Sequence, residues 1–207
     1  MDPKRGAIRK PDTLRNGPEQ SKSKMESSPK RDGGAIIMQE TADQYRQRMF
    51  SYLNGGDPLK LQAAAPAKLA KLLKNVSPAG ARKRPAPGKW SIAEIVAHLA
   101  DTELVGGYRI RAILGAPGSQ IIGFDQDRWV TALHYDKRNL RKSFEQYCAL
   151  REANLALLKT LTPEQWKHHG IHNERGAETV ETMVRMFAGH DLNHFRQIES
   201  ILAAKKK

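Results

Sequence analysis

VETMVRMFAGHDLNHFRQIESI, residues 180–201, decides how this chain is read. Its apolar side chains Val180, Met183, Phe187, Ile198 and Ile201 recur in steps of three or four. That is the period of an α-helix laying one face on a core. His190 and His194 occupy the same stripe, in core positions rather than solvent positions. Residues four apart stack on one helix face, so both imidazoles can point at one spot. An unpaired imidazole in a core costs free energy, so the pair calls for a partner.

A third histidine lies about ninety residues upstream. Ser91 and Glu94 form an S-x-x-E capping box, in which each side chain satisfies the other's free backbone N–H. Ile92, Ile95, Val96, Leu99, Ile110, Ile113 and Leu114 then mark one helix face to about residue 114, with His98 on that face. Three neutral imidazoles converging inside a bundle can hold a divalent metal and leave positions open for chemistry. H-x-x-x-H spacing alone is a weak signal, and a buried histidine is often only hydrogen-bonded to a neighbour. Carboxylates accompany the trio: Asp101 and Glu103 near His98, and Asp191 after His190. They can accept the second ring N–H of a ligating histidine, or move a proton. Asp101 can equally be a helix-stabilising acid.

Outward from these helices the chain reads as an all-α bundle of four main helices. Tyr45, Met49, Tyr52 and Leu53 line a first helical stretch, broken at Gly55-Gly56-Asp57-Pro58. Asp57 caps the next helix and Pro58 suits its first turn. Pro66 is expected to interrupt that helix before Leu69, Leu72, Leu73 and Val76 resume the stripe. Residues 77–88 read as a loop. A further helix spans about 137–161, with Leu140, Phe144, Tyr147, Leu155 and Leu158 on its stripe. The connections 116–136 and 162–178 are long, which points to crossovers rather than simple hairpins. No β-alternation of useful length, internal repeat or phosphate-binding glycine loop is visible.

The chain has 207 residues, one cysteine and a formal net charge of +13. One domain of about 38–204 follows, with no disulfide framework. Residues 1–37 lack apolar periodicity and read as a disordered basic tail. The basic residues are scattered without interleaved aromatics, so no specific nucleic-acid binding is expected. No membrane span or secretory leader is evident, and the expected location is the cytoplasm.

Other candidates weigh less. His134, His168, His169 and His172 fall in connections, and His172 is the one expected nearest the metal. Arg151 is expected to snorkel from the bundle edge rather than meet a substrate. Cys148 reads as a small core residue, Trp90 as a packing residue ahead of the Ser91 cap, and Trp129 and Trp166 as anchors.

The run WSIAEIVAHLADTE, residues 90–103, resembles the second-helix signature of the DinB/YfiT-like superfamily. AGHDLNHFRQI, residues 188–198, resembles its C-terminal H-x-x-x-H signature, and Glu174-Arg175-Gly176 its preceding turn. The resemblance covers about residues 40–203. It implies a four-helix bundle with a tri-histidine site at His98, His190 and His194. It also implies zinc or nickel as cofactor, frequent homodimers, and activity either as a hydrolase or as a transferase using a low-molecular-weight thiol. On either mechanism the substrate is a small molecule. The rival expectation is a non-catalytic helical binding module that metal stabilises.

Overall fold

The computed structural model describes residues 31–32, 35–36 and 40–204. Before residue 40 it gives only an antiparallel pair, β1 (Arg31–Asp32) and β2 (Ala35–Ile36). The tail expected over 1–37 otherwise lies outside the described residues.

From residue 40 onward, local chemistry sets most helix starts. Thr41 and Gln44 close a capping box on α1 (Ala42–Ser51). Asp57 accepts from the N–H groups of Leu59 and Lys60 to open α2 (Pro58–Leu73), with Pro58 in its first turn. Contrary to expectation, α2 runs through Pro66 without a break. A proline inside a helix forfeits its own N–H bond and its ring crowds the carbonyl four residues back; here that carbonyl, of Gln62, accepts from Arg151 Nη1 instead, and Gln62, Ala65 and Leu69 are buried along the same face. Ser77 caps a short α3 (Pro78–Arg82) inside the expected loop.

Ser91 and Glu94 form the expected capping box on α4 (Ile92–Gly115). Its connection to the next bundle helix holds β3 (Gln120–Ile121), α5 (Gln126–Ala132) and a 3-10 turn at Tyr135–Lys137. Asn139 caps α6 (Leu140–Leu158), and Thr162 with Gln165 boxes α7 (Pro163–Lys167). Then come β4 (His169–His172), β5 (Gly176–Thr179) and α8 (Val180–Ala204).

Helices α2, α4, α6 and α8 form the bundle. One apolar cluster joins Leu69, Ile95, Leu99, Tyr147, Phe195 and Ile198. A second joins Ile110, Ile113, Leu158, Val180 and Met183. The first cluster meets the early parts of α4 and α6 and the late part of α8; the second meets the opposite ends. So α4 and α6 run parallel and α8 runs against both. A parallel pair cannot be joined by a tight turn, which makes the α4–α6 connection cross back along the bundle. Between the two apolar clusters each of α4, α6 and α8 carries buried polar residues, among them His98, Glu103, Arg151, Asn154, His190, Asp191 and His194.

A small sheet, order β3-β4-β5, ties the two long connections together, with β3 parallel and β5 antiparallel to β4. Strands of two and four residues are too short to carry a period-two signal, which is why the sequence hides them. Gly176, at φ 73°, supplies the left-handed residue that closes the β4–β5 turn. No described helix is long and apolar enough to cross a membrane.

Candidate metal centre

His98 projects from α4 and His190 and His194 from α8, all three buried. The Nε2 atom of His190 lies 3.0 Å from Nε2 of His98 and 3.0 Å from Nε2 of His194. One ligating atom from each ring falls within 4.8 Å of the others. A ring nitrogen has one proton or one lone pair, so His190 Nε2 cannot satisfy both neighbours by hydrogen bonding. A shared cation satisfies all three at once, and the donor set of three imidazoles suits a divalent transition metal.

The electrostatics favour neutral rings. Burial, then repulsion from His194, holds His98 well below the ordinary histidine pKa. Burial does the same to His190, reinforced by its two histidine neighbours and Arg151. Burial lowers His194 to about 4, against an opposing hydrogen bond to Gln197. That bond joins His194 Nδ1 to Gln197 Oε1 at 2.9 Å. It puts the ring proton on Nδ1 and turns the Nε2 lone pair toward the cluster. Nδ1 of His98 has no partner among the described residues.

Trp90 forms a wall of the site. Its ring lies parallel to His194 with centroids 6.0 Å apart and edge-on to His98 at 5.0 Å. Its Nε1 donates to Asp127 Oδ1 at 3.2 Å. A cleft of about 590 Å³ reaches His190 and His194 past Trp90. Asn193, Gln197 and Ser200 continue the α8 side of the cleft beyond the histidines. Tyr45 and Arg48 of α1, Lys89 ahead of α4, and Gln126 of α5 also line it. No aspartate or glutamate is among the described residues that line the cleft.

The carboxylates singled out in the sequence are held elsewhere. Asp101 accepts from Tyr135 Oη and Arg138 Nη1, both at 2.8 Å. Glu103 accepts from Arg151 Nη2 at 2.7 Å and Asn154 Nδ2 at 3.1 Å. Asp191 pairs with Arg151 Nη1 at 2.8 Å. None of the three accepts a hydrogen bond from a histidine of the trio among the described residues, because arginines and Tyr135 from other elements reach them first. Arg151 does not snorkel: it is 1% exposed, held between the two acids over the Tyr147 ring. His172 is buried in β4, where its Nδ1 accepts from the Glu174 N–H; it is not one of the clustered ligands. Cys148 is half-buried against the first apolar cluster. The residues missed in the sequence are Trp90, as a site wall, and Gln197. The latter's position three after His194 was the available signal.

The sequence profile described as the DinB superfamily matches residues 61–198. Two proteins of Oceanobacillus iheyensis are similar, each carrying the name "Putative metal-dependent hydrolase". One is 27% identical over 117 residues, 56% of this chain and 66% of its own length. The other is 23% identical over 118 residues, 57% of this chain and 68% of its own. The alignments thus span about two thirds of these relatives. Among solved structures, YfiT from Bacillus subtilis superposes with a TM-score of 0.67 at 19% identity, covering 82% of this chain and 91% of that one. It is described as having an unusual four-helix bundle topology and as a probable metal-dependent hydrolase. At that identity the likeness carries the fold.

Proposed function

The chain belongs to the DinB superfamily, and from that premise we propose that it is a metal-dependent hydrolase of a small-molecule substrate, with its ion among His98, His190 and His194. The observation that carries this reading is the meeting of three buried Nε2 atoms at the head of a cleft. The names of the similar Oceanobacillus proteins support the reaction class. Zinc or nickel suits three imidazole ligands.

A divalent ion held there supplies Lewis acidity, polarising a bound carbonyl and lowering the pKa of a water or thiol it binds. The chain's own residues do the rest. Burial keeps the imidazoles neutral, so their lone pairs are free to ligate near pH 7. Gln197 holds the His194 tautomer and ring angle. Trp90 shields one side of the cluster from water. Asn193 and Ser200 offer hydrogen-bonding groups to a substrate lying along α8.

One observation favours a second reading, thiol transfer. Among the described residues that line it, the cleft presents no carboxylate to act as general base. A cofactor thiol would need none, since an ion held by His98, His190 and His194 would lower the thiol's pKa enough for its proton to pass to solvent. The test begins with elemental analysis of purified protein beside the His194→Ala variant. About one metal per chain in wild type, lost in the variant, is expected. Zinc- or nickel-loaded protein is then assayed on activated esters and amides, and separately on an electrophile with a low-molecular-weight thiol. Turnover of esters or amides supports the hydrolase, and turnover only with the thiol supports the transferase. Metal without turnover in either screen favours a metal-stabilised binding module. Metal-free wild type with unchanged stability in the variant defeats the metalloenzyme reading.

A further inference from the structure

The charge and shape of the cleft narrow the substrate. Among the described residues its lining carries Arg48 and Lys89 and no acid. Arg48 is partly neutralised: Nε and Nη2 hold Glu40 at 2.8 Å, while Nη1 reaches Asn193 Oδ1 at 3.3 Å. Lys89 is exposed and has no carboxylate partner among the described residues. Asp127, next to Gln126 on α5, is turned to the Trp90 indole. The α8 side of the cleft runs from His190 to Ala204, a rise of about 21 Å at 1.5 Å per residue. Along it stand neutral hydrogen-bonding groups from Asn193, Gln197 and Ser200. A ligand anchored at the histidines therefore extends away from them over uncharged side chains and passes two cations, Arg48 already paired with Glu40 and Lys89 with no carboxylate partner among the described residues.

We propose that this cleft binds an elongated organic anion, with its reacting group at the histidines and a carboxylate-type charge taken by Lys89, assisted by Arg48. This rests on the metal-centre reading of the same histidines. Lys89 precedes Trp90, whose ring walls the cluster, so the cation and the reaction centre are fixed to one backbone segment. Lys89 then selects substrates by charge, and the trio selects them by the group they present to the metal.

The probes are an ω-carboxyalkyl hydroxamate, its methyl ester and its ω-ammonium analogue. All three carry the same metal-binding head. Affinity is measured by calorimetry on the zinc-loaded full chain, for wild type, Lys89→Gln and Lys89→Glu. An exposed ion pair predicts that the acid binds about fivefold tighter than the ester. The ammonium analogue binds weakest, and the spread contracts at high ionic strength. In Lys89→Gln the acid and ester should converge, and in Lys89→Glu the ammonium analogue should overtake the acid. Lys89 is exposed, so these variants keep the fold. Equal affinity for acid and ester in wild type, or a preference that survives Lys89→Glu, overturns the inference and leaves the metal reading standing. No binding of any hydroxamate to the metal-loaded protein contradicts the metal reading, and this inference falls with it.

Discussion

Replacing Arg151 with methionine tests the buried polar layer that holds α8 in register. The Arg151 guanidinium is the one cation within reach of both Glu103, at 2.7 Å, and Asp191, at 2.8 Å, among the described ion pairs. It also donates to the Gln62 carbonyl of α2 at 3.3 Å, so it joins all four bundle helices. Methionine keeps most of the volume and removes the charge, leaving two buried carboxylates with neutral neighbours alone, Asn154 donating to Glu103 and the Tyr147 hydroxyl beside Asp191. Breaking a buried pair from one side costs about 3–5 kcal/mol. Part of that cost is escaped by protonation. Burial pushes Asp191 up to about 6 even with Arg151 drawing it down, so the variant's Asp191 titrates higher still. A carboxyl raised in the folded state stabilises the fold below its unfolded pKa and loses that contribution as pH rises through the folded value. Between the variant's Asp191 pKa and the wild-type value of about 6, the stability gap should therefore narrow with falling pH. The expected rate is about 1.4 kcal/mol per unit. Urea denaturation of both proteins under chelator, at about pH 8.5 and about pH 6, measures the gap. A gap below about 1 kcal/mol at about pH 8.5, where protonation relieves least, or one equal at both pH values, refutes the argument that these charges are buried and mutually dependent.

Gly189→Ala should destabilise by about 1–2 kcal/mol, since its Cβ would collide with the Met49 carbonyl oxygen of α1 and overpacking outweighs the helix propensity gained. A gain in denaturation midpoint would show that α1 does not pack there. Ser91→Ala removes the α4 cap, whose hydroxyl accepts from the Glu94 N–H; a loss of about 1 kcal/mol in thermal or urea melts is expected. Burial, then Arg175, lowers His172 to about 4, so the unfolded chain takes up its proton first as pH falls from about 6.5. Stability contributed by neutral His172 is full above that value and is lost on the way down to about 4. Denaturation at about pH 7 and about pH 5 should show His172→Gln losing about 2 kcal/mol less than wild type over that interval. An unchanged pH slope would contradict the burial of this ring.

The features legible in the sequence are those written in neighbouring residues. The stripe of α8, the Ser91–Glu94 box and the placing of three histidines on core faces depend on spacings of three and four, and the bundle follows from them. What stayed hidden depends on residues far apart. Asp101 belongs with Tyr135 and Arg138, and Arg151 with Glu103 and Asp191; no local pattern announces such pairs. A lone arginine on an apolar stripe reads as snorkelling until its two acids are known to lie inside. The sheet escaped notice because its strands are shorter than the pattern that would reveal them. Trp90 looked like packing because its site role depends on α8 arriving against it.

The central claim is that His98, His190 and His194 share one metal ion. Anomalous diffraction from crystals of the zinc- or nickel-loaded protein, collected at the metal edge, tests it directly. One peak about 2.0–2.1 Å from the Nε2 atom of each of the three rings is the predicted result. A peak elsewhere, or no peak with the three rings still in contact, would contradict it.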